Sequence, residues 1–84
     1  MRMMKLYQVE WCPYCARVRA KMTDLCLTYI NVNVPANKAD RKELMEVSGQ
    51  SGVPTLVTED GKVIADDDRA IIAYLEEHYG TARC

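Results

Sequence analysis

The chain has 84 residues, enough for one domain with a small core, and we predict a single domain over residues 1–84. Its net charge of −1 provides no basic excess for nucleic acid or an anionic membrane, so neither is an expected partner. No stretch approaches the roughly 18 apolar residues of a membrane helix, and the start of the chain lacks the apolar core of a signal peptide, so we expect a cytoplasmic location. We also expect a monomer.

The first two predicted elements are a strand, Met3 to Val9, and a helix from Pro13 to about Leu25. Proline suits the first helical position because its missing N–H costs nothing there. Apolar residues recur at i, i+3, i+7 and i+10 along this helix and form one face: Cys15, Val18, Met22 and Leu25. The helix is therefore amphipathic and follows the strand directly.

The middle of the chain predicts a second strand and a second helix. Leu27 to Val34 is rich in β-branched and aromatic residues. Asn37 to Val47 is the predicted helix, with Asp40 and Glu43 at capping-box spacing near its start. Gly49 suits a left-handed helix stop.

The last part of the chain predicts a β-hairpin and a final helix. The hairpin strands are Thr55 to Thr58 and Lys62 to Ala65, and Asp60-Gly61 between them is typical of a two-residue turn. The helix starts among Asp66, Asp67 and Asp68 and runs to about Tyr79.

The predicted order is β-α-β-α-β-β-α, which indicates an α/β fold. Two strands joined by a helix are expected to be parallel with a right-handed crossover, whereas the hairpin strands are antiparallel. The result is a four-strand mixed sheet with helices on both faces.

The motif Cys12-Pro13-Tyr14-Cys15 stands at the start of the first helix. Two thiols one helical turn apart can exchange reversibly with a disulfide, and the backbone N–H groups of a helix start favour a thiolate at Cys12. A structural disulfide is the alternative, but closing a loop of about 4 residues stabilises by only about 1.8 kcal/mol. Metal binding is the other alternative.

The remaining candidate ligands do not form a second motif. Cys26 ends the first helical pattern between two leucines, and we expect it to be a buried small hydrophobe. Cys84 is the last residue and is expected to be exposed, and His78 lies near the end of the last helix. These residues have no paired spacing, so no metal site is predicted.

The chain resembles the glutaredoxin branch of the thioredoxin superfamily. The resemblance rests on Cys12-Pro13-Tyr14-Cys15, on Val53-Pro54 and on the acidic group Asp66-Asp67-Asp68, which occur in the family's order, and the order of elements covers nearly the whole chain. Residues 53–57 and 69–77 are also similar to the N-terminal domain of glutathione transferases. The resemblance implies a thioredoxin-like (glutaredoxin) fold.

The resemblance also implies a role for each matching residue. Cys12 would be the attacking thiolate and Cys15 the resolving thiol, with glutathione as co-substrate and no bound cofactor. Glutathione would be held by five further residues: Tyr14, Val53, Pro54, Asp67 and Asp68. From the residues alone, we expect an ordinary strand-start proline. The residues alone also make the two aspartates helix caps, a role that can coexist with glutathione binding.

The expected bend at Pro54 would be a cis peptide, which presents the Val53 backbone to an extended ligand. The aspartates would hold the γ-glutamyl end of glutathione, through helix-start N–H groups and an acidic side chain.

The chain departs from the glutaredoxin pattern beside the thiols. Val9, followed by Glu10, stands where the family commonly carries a lysine near the glycine carboxylate of glutathione. Arg17, Lys21 or Arg41 could supply a compensating positive charge.

Three further positions differ from the usual glutaredoxin residues. Gly52 replaces a frequent threonine, Asp66 replaces a small polar residue or cysteine, and Trp11 is more typical of thioredoxins.

The sequence thus predicts an enzyme, a glutathione-dependent thiol–disulfide oxidoreductase that reduces protein disulfides or glutathione mixed disulfides. One alternative is a redoxin that receives its electrons from thioredoxin reductase. The other is a non-enzymatic glutathione-binding module related to the transferase domain.

Overall fold

The computed structural model describes residues 3–81, so the expectation for Cys84 lies outside the described residues. The strands are β1 (Lys5–Gln8), β2 (Ile30–Asn33), β3 (Thr55–Val57) and β4 (Val63–Ala65). The helices are α1 (Pro13–Asp24), α2 (Lys42–Ser48) and α3 (Asp68–Tyr79), with a 3₁₀ turn at Lys38–Asp40. Between residues 3 and 81, every helix is too short or too polar to cross a bilayer.

The four strands form one mixed sheet in the order β2-β1-β3-β4. β1 and β2 are parallel, with Lys5 opposite Ile30, whereas β3 is antiparallel to both β1 and β4. This confirms the predicted thioredoxin-like sheet. Since β1 lies between β2 and β3, the Cys12 motif follows an inner strand of the sheet.

The two faces of the sheet carry different helices. Leu6 points to the face covered by α1 and α3, where the main core lies. Its neighbour Tyr7 points to the opposite face, where its hydroxyl donates to Glu43 Oε2 of α2 at 2.8 Å. The predicted apolar face of α1 is confirmed, because all four of its residues are buried: Cys15, Val18, Met22 and Leu25.

The second predicted helix, Asn37 to Val47, is wrong as a single element. Asn37 caps the 3₁₀ turn, with its Oδ1 accepting from the Ala39 N–H at 3.0 Å, and α2 begins only at Lys42. The break is at Arg41, whose φ of −85° and ψ of 62° are not helical. Asp40 therefore does not cap α2, but Gly49 ends it in the predicted left-handed conformation, with φ of 74°.

The prediction that Cys26 is buried is also wrong. The chain turns at Cys26 with φ of 54°, so the apolar stripe of α1 ends one residue earlier at Leu25 and Cys26 is exposed. The hairpin turn likewise differs from the prediction. The Thr58 N–H donates to the Lys62 carbonyl at 2.8 Å, which leaves three residues in the turn rather than the two predicted.

Candidate active site

Cys12 lies in the short segment that joins the end of β1 to α1. Its backbone N–H donates to the Val9 carbonyl at 3.2 Å, and its carbonyl accepts from the Ala16 N–H at 3.0 Å. Cys12 is the N-cap residue of α1 in an extended conformation, and its side chain makes no capping hydrogen bond. The thiol therefore does not cap the helix that presents it, and Cys12 is half-buried.

Cys15 lies one turn further along α1 and is fully buried. Burial is the largest cause that raises the pKa of its thiol from 9.0 to about 11, and a hydrogen bond with Cys12 and the charge of Cys12 raise it further. The Val9 backbone and the charge of Arg19 act in the opposite direction. The two sulfurs are thus in contact but unequal, because Cys12 reaches solvent while Cys15 is shielded and protonated at neutral pH.

Arg19 fastens the segment before Cys12 to α1. Its guanidinium donates through Nη1 to the side chain of Gln8, and through Nη2 to the Glu10 carbonyl at 3.3 Å. Gln8 is buried and donates in turn to Asn33 Oδ1 at 2.7 Å. The end of β1, the end of β2 and the first turns of α1 are therefore tied together behind the thiols.

A groove runs beside Cys12 toward the Val53–Pro54 peptide, which is cis as the resemblance implies. A cavity of about 310 Å³ is lined by these residues: Val9, Trp11, Cys12, Tyr14, Lys38, Arg41, Gly52, Val53 and Asp66. A neighbouring cavity of about 140 Å³ is lined by Tyr14, Val53, Pro54, Asp66 and Asp68. The structure therefore brings Cys12, Tyr14, Val53, Pro54 and Asp68 together.

The three aspartates at the start of α3 have different surroundings. Asp67 is the N-cap residue, with its Oδ1 accepting from the Ala70 N–H at 3.0 Å, and it does not line either cavity. Asp68 Oδ2 lies 3.3 Å from Arg17 Nη1 without a well-formed hydrogen bond. Asp66 lines both cavities, although the sequence assigned it a weaker role than Asp67 and Asp68.

The groove also contains two cations. Arg41 is buried and donates to the carbonyls of Pro35, Ser51 and Ala36 at 2.7, 2.8 and 3.2 Å. A guanidinium has five N–H donors, so two remain for a ligand. Lys38 lines the same cavity. The sequence did not identify it as a groove cation, because there it is only one charged residue in a polar turn.

The other two candidate cations line neither cavity. Arg17 pairs with Asp68, and Lys21 lies 2.9 Å from Glu76 on α3. Of the three compensating residues considered from the sequence, only Arg41 lies in the groove.

Two large aromatic side chains flank Cys12. Trp11 is 72% exposed and Tyr14 is 56% exposed, and both line the larger cavity. An exposed tryptophan beside the accessible sulfur offers a large contact surface to whatever enters the groove.

Comparisons with known proteins agree with this architecture. Residues 4–64 match the family model described as Glutaredoxin. An uncharacterised glutaredoxin-like 8.6 kDa protein of the rubredoxin operon of Clostridium pasteurianum is 32% identical over 75 residues, which cover 89% of this chain and 99% of that protein. Glutaredoxin 3 of Escherichia coli K12 is 28% identical over 64 residues, which cover 76% of this chain and 77% of that protein.

Solved structures of glutathione transferases share the fold. A Sulfitobacter transferase homologue with bound glutathione superposes with a TM-score of 0.83 at 21% identity, over 98% of this chain and 39% of that one. A Drosophila mojavensis homologue, also with bound glutathione, gives a TM-score of 0.82 at 29% identity, over 95% of this chain and 36% of that one. The chain thus spans well under half the length of these transferases.

Proposed function

The chain belongs to the glutaredoxin family, and from this premise we propose that it is a glutathione-dependent thiol–disulfide oxidoreductase acting through Cys12 and Cys15. The observation that carries the proposal is the unequal pair of thiols. Cys12 reaches a groove that could hold a peptide-like ligand, whereas Cys15 is buried in contact with it. Family membership supports redox chemistry in general, and the substrates and the roles of individual residues are our proposal.

The reaction begins with attack of the Cys12 thiolate on one sulfur of a substrate disulfide. A new bond forms between Cys12 and that sulfur, the substrate S–S bond breaks, and the other sulfur leaves with the bonding electron pair and takes a proton from water. The attacking sulfur lies at the N-terminus of α1, whose free N–H groups carry partial positive charge.

The mixed disulfide is then resolved by one of two thiols. Cys15, after losing its proton, attacks Cys12 and releases the substrate as a thiol, which leaves a Cys12–Cys15 disulfide. Two molecules of glutathione reduce that disulfide and are themselves oxidised to glutathione disulfide. Alternatively, when glutathione occupies Cys12, a second glutathione resolves it directly, and Cys15 is not needed.

The groove offers complementary groups for glutathione. We propose that the backbone of Val53 pairs with the extended tripeptide and that Tyr14 packs beside it. Asp68 and the start of α3, capped by Asp67, would hold the γ-glutamyl end. The free N–H donors of Arg41, with Lys38 beside it, would hold the glycine carboxylate in place of the missing lysine.

The test is a coupled assay with purified protein, NADPH, glutathione and glutathione reductase, and a glutathione mixed disulfide as substrate. Cys12→Ser should abolish turnover, whereas Cys15→Ser should retain it, because a second glutathione can resolve the intermediate. With a protein disulfide as substrate, Cys15→Ser should also be inactive. Turnover by the Cys12→Ser variant would overturn the proposal.

A parallel assay separates the two possible electron donors. Thioredoxin reductase replaces glutathione and its reductase, with the same protein disulfide as substrate. Faster turnover with thioredoxin reductase would show that this reductase, and not glutathione, supplies the electrons. Absence of turnover in both assays would favour the non-enzymatic binding module.

A further inference from the structure

Asp66 occupies space that exists only because residue 52 is glycine. A Cβ atom placed on Gly52 would overlap with the carboxyl group of Asp66. The Thr55 hydroxyl holds the two segments together, since it donates to the Gly52 carbonyl at 2.9 Å and lies 3.4 Å from the Asp66 N–H, which points to it. Two residues that are 14 positions apart in the sequence are therefore coupled in the fold.

The backbone at Asp66 aims its side chain into this space. Asp66 has φ of 51°, in the left-handed region that aspartate and asparagine tolerate better than other side chains. It follows β4 and precedes the N-cap of α3, so both flanking elements fix its position.

The carboxylate of Asp66 lies along the path of a substrate that reacts at Cys12. Asp66 lines the cavity that contains Cys12, and it also lines the neighbouring cavity over Pro54. Tyr14 and Val53 also line both cavities, so the Asp66 carboxyl group lies where the two cavities meet. Lys38 and Arg41 line the Cys12 cavity and Asp68 lines the neighbouring one, so a variant at residue 66 changes one charged side chain and leaves these three in place.

A charge in this position acts on the charge of the substrate. Near a protein surface, unit charges several ångströms apart interact strongly enough to change a rate severalfold, in opposite directions for cations and anions. The carboxylate has no side-chain cation bound to it among the ion pairs of residues 3–81, so its field is not cancelled by a direct partner.

We propose that Asp66, in the space left open by Gly52, is a specificity-determining residue that favours cationic disulfides over anionic ones in the exchange at Cys12. The inference rests on the proposed function, since it concerns the first step of that reaction. The substrates that the Asp66 carboxylate would favour are disulfides that have lysine, arginine or another ammonium group close to their sulfurs.

The test measures that first step alone, in single turnover with reduced protein. Trp11 is the only tryptophan of the chain and lies next to Cys12, so its fluorescence should report formation of the mixed disulfide. Three small disulfides serve as probes: cystamine, which is dicationic, hydroxyethyl disulfide, which is neutral, and oxidised glutathione, which is anionic.

The expected result is a change in preference without a general loss of rate. Asp66→Asn keeps the size and the left-handed tolerance of the residue, and it should lower the rate constant with cystamine and raise that with oxidised glutathione, each by about threefold or more. The neutral disulfide should change little. Salt at about 0.5 M should reduce the preference of the unmodified protein, because it screens exposed charges.

Two further variants test the structural basis. Gly52→Ser should displace the carboxylate and shift the preference in the same direction, and the double variant should shift it no further than Asp66→Asn alone. Glu77→Gln removes the same charge from the far end of α3 and should leave the preference unchanged.

An equal change with all three probes would show that Asp66 acts on the Cys12 thiol rather than on the substrate, and it would overturn the inference. An unchanged preference in Asp66→Asn would do the same, as would a preference that salt leaves intact. Failure of the proposed function gives a different result. In that case the unmodified protein and Cys12→Ser would react with the three disulfides at the same rate.

Discussion

Replacing Cys12 with alanine should lower the pKa of the Cys15 thiol below about 11 while leaving it above its ordinary value of 9.0. Burial, the largest cause of the elevation, remains in the variant. The hydrogen bond with Cys12 and the charge of Cys12 are both removed. The two causes that lower the pKa, the Val9 backbone and Arg19, also remain.

The size of the rise in the pKa of Cys15 determines how rarely this thiol is ionised at neutral pH. A rise from 9.0 to about 11 makes the Cys15 thiolate about a hundredfold scarcer at neutral pH than that of an ordinary thiol. In the proposed reaction, Cys15 would therefore compete poorly for the substrate. Once Cys12 is in a mixed disulfide it carries no charge, so part of the elevation disappears when Cys15 has to attack.

The assay is alkylation of Cys15 by iodoacetamide as a function of pH, read residue by residue by mass spectrometry. In the Cys12→Ala variant, the alkylation rate of Cys15 should rise about tenfold per pH unit from neutrality and level off between pH 9 and 11, because only the thiolate reacts. Cys12→Ser keeps a hydroxyl that can hydrogen-bond, so its midpoint should lie between those of the alanine variant and the unmodified protein. A midpoint at or below pH 9 in Cys12→Ala would refute burial as the dominant cause.

Three other predictions concern stability and ligand affinity. Asp67→Ala removes the cap of the Ala70 N–H and should lower the free energy of unfolding by about 0.5–2 kcal/mol in urea titrations, whereas Asp67→Asn should restore most of it; equal losses would argue against capping. Arg41→Met leaves three backbone carbonyls without their donor, so it should lower the free energy of unfolding by about 1–3 kcal/mol. It should also raise the KM for glutathione, because it removes a proposed carboxylate-binding cation. An unchanged KM would show that Arg41 does not bind glutathione. Burial and Glu43 raise the pKa of Tyr7 to about 12, so the neutral phenol is favoured in the folded state. The contribution of Tyr7 to the free energy of unfolding should therefore be lost as the pH rises from about 10 to about 12. Tyr7→Phe should lose less stability over that range, and parallel pH profiles of the two proteins would contradict this.

The sequence predicted those parts of the fold that depend on local patterns. The apolar face of α1 recurs within one helix, and the Cys12 motif carries its own helix start, so both were recognisable without the structure. The mixed sheet followed from the order of the elements.

The errors arose where a residue responds to a distant part of the chain. Arg41 interrupts the second helix while its guanidinium binds carbonyls as far away as Ser51, and no helical periodicity contains that contact. The position of the Asp66 carboxyl group depends on the space above Gly52, and Lys38 lines the groove because the 3₁₀ turn places it there. Cys26 was placed with its leucine neighbours, but the left-handed turn takes it to the surface.

The way Arg41 is held has a consequence for how such a protein can diverge. The sulfurs are carried by the start of α1, directly after β1, which is hydrogen-bonded on both sides. Residues 35–51 form a separate segment that is closed by one guanidinium bound to three carbonyls. The two groove cations, Lys38 and Arg41, are therefore held apart from the helix that carries the sulfurs. Exchanges within residues 35–51 could change the charge of the groove while the sulfurs keep their spacing, provided that Arg41 is kept.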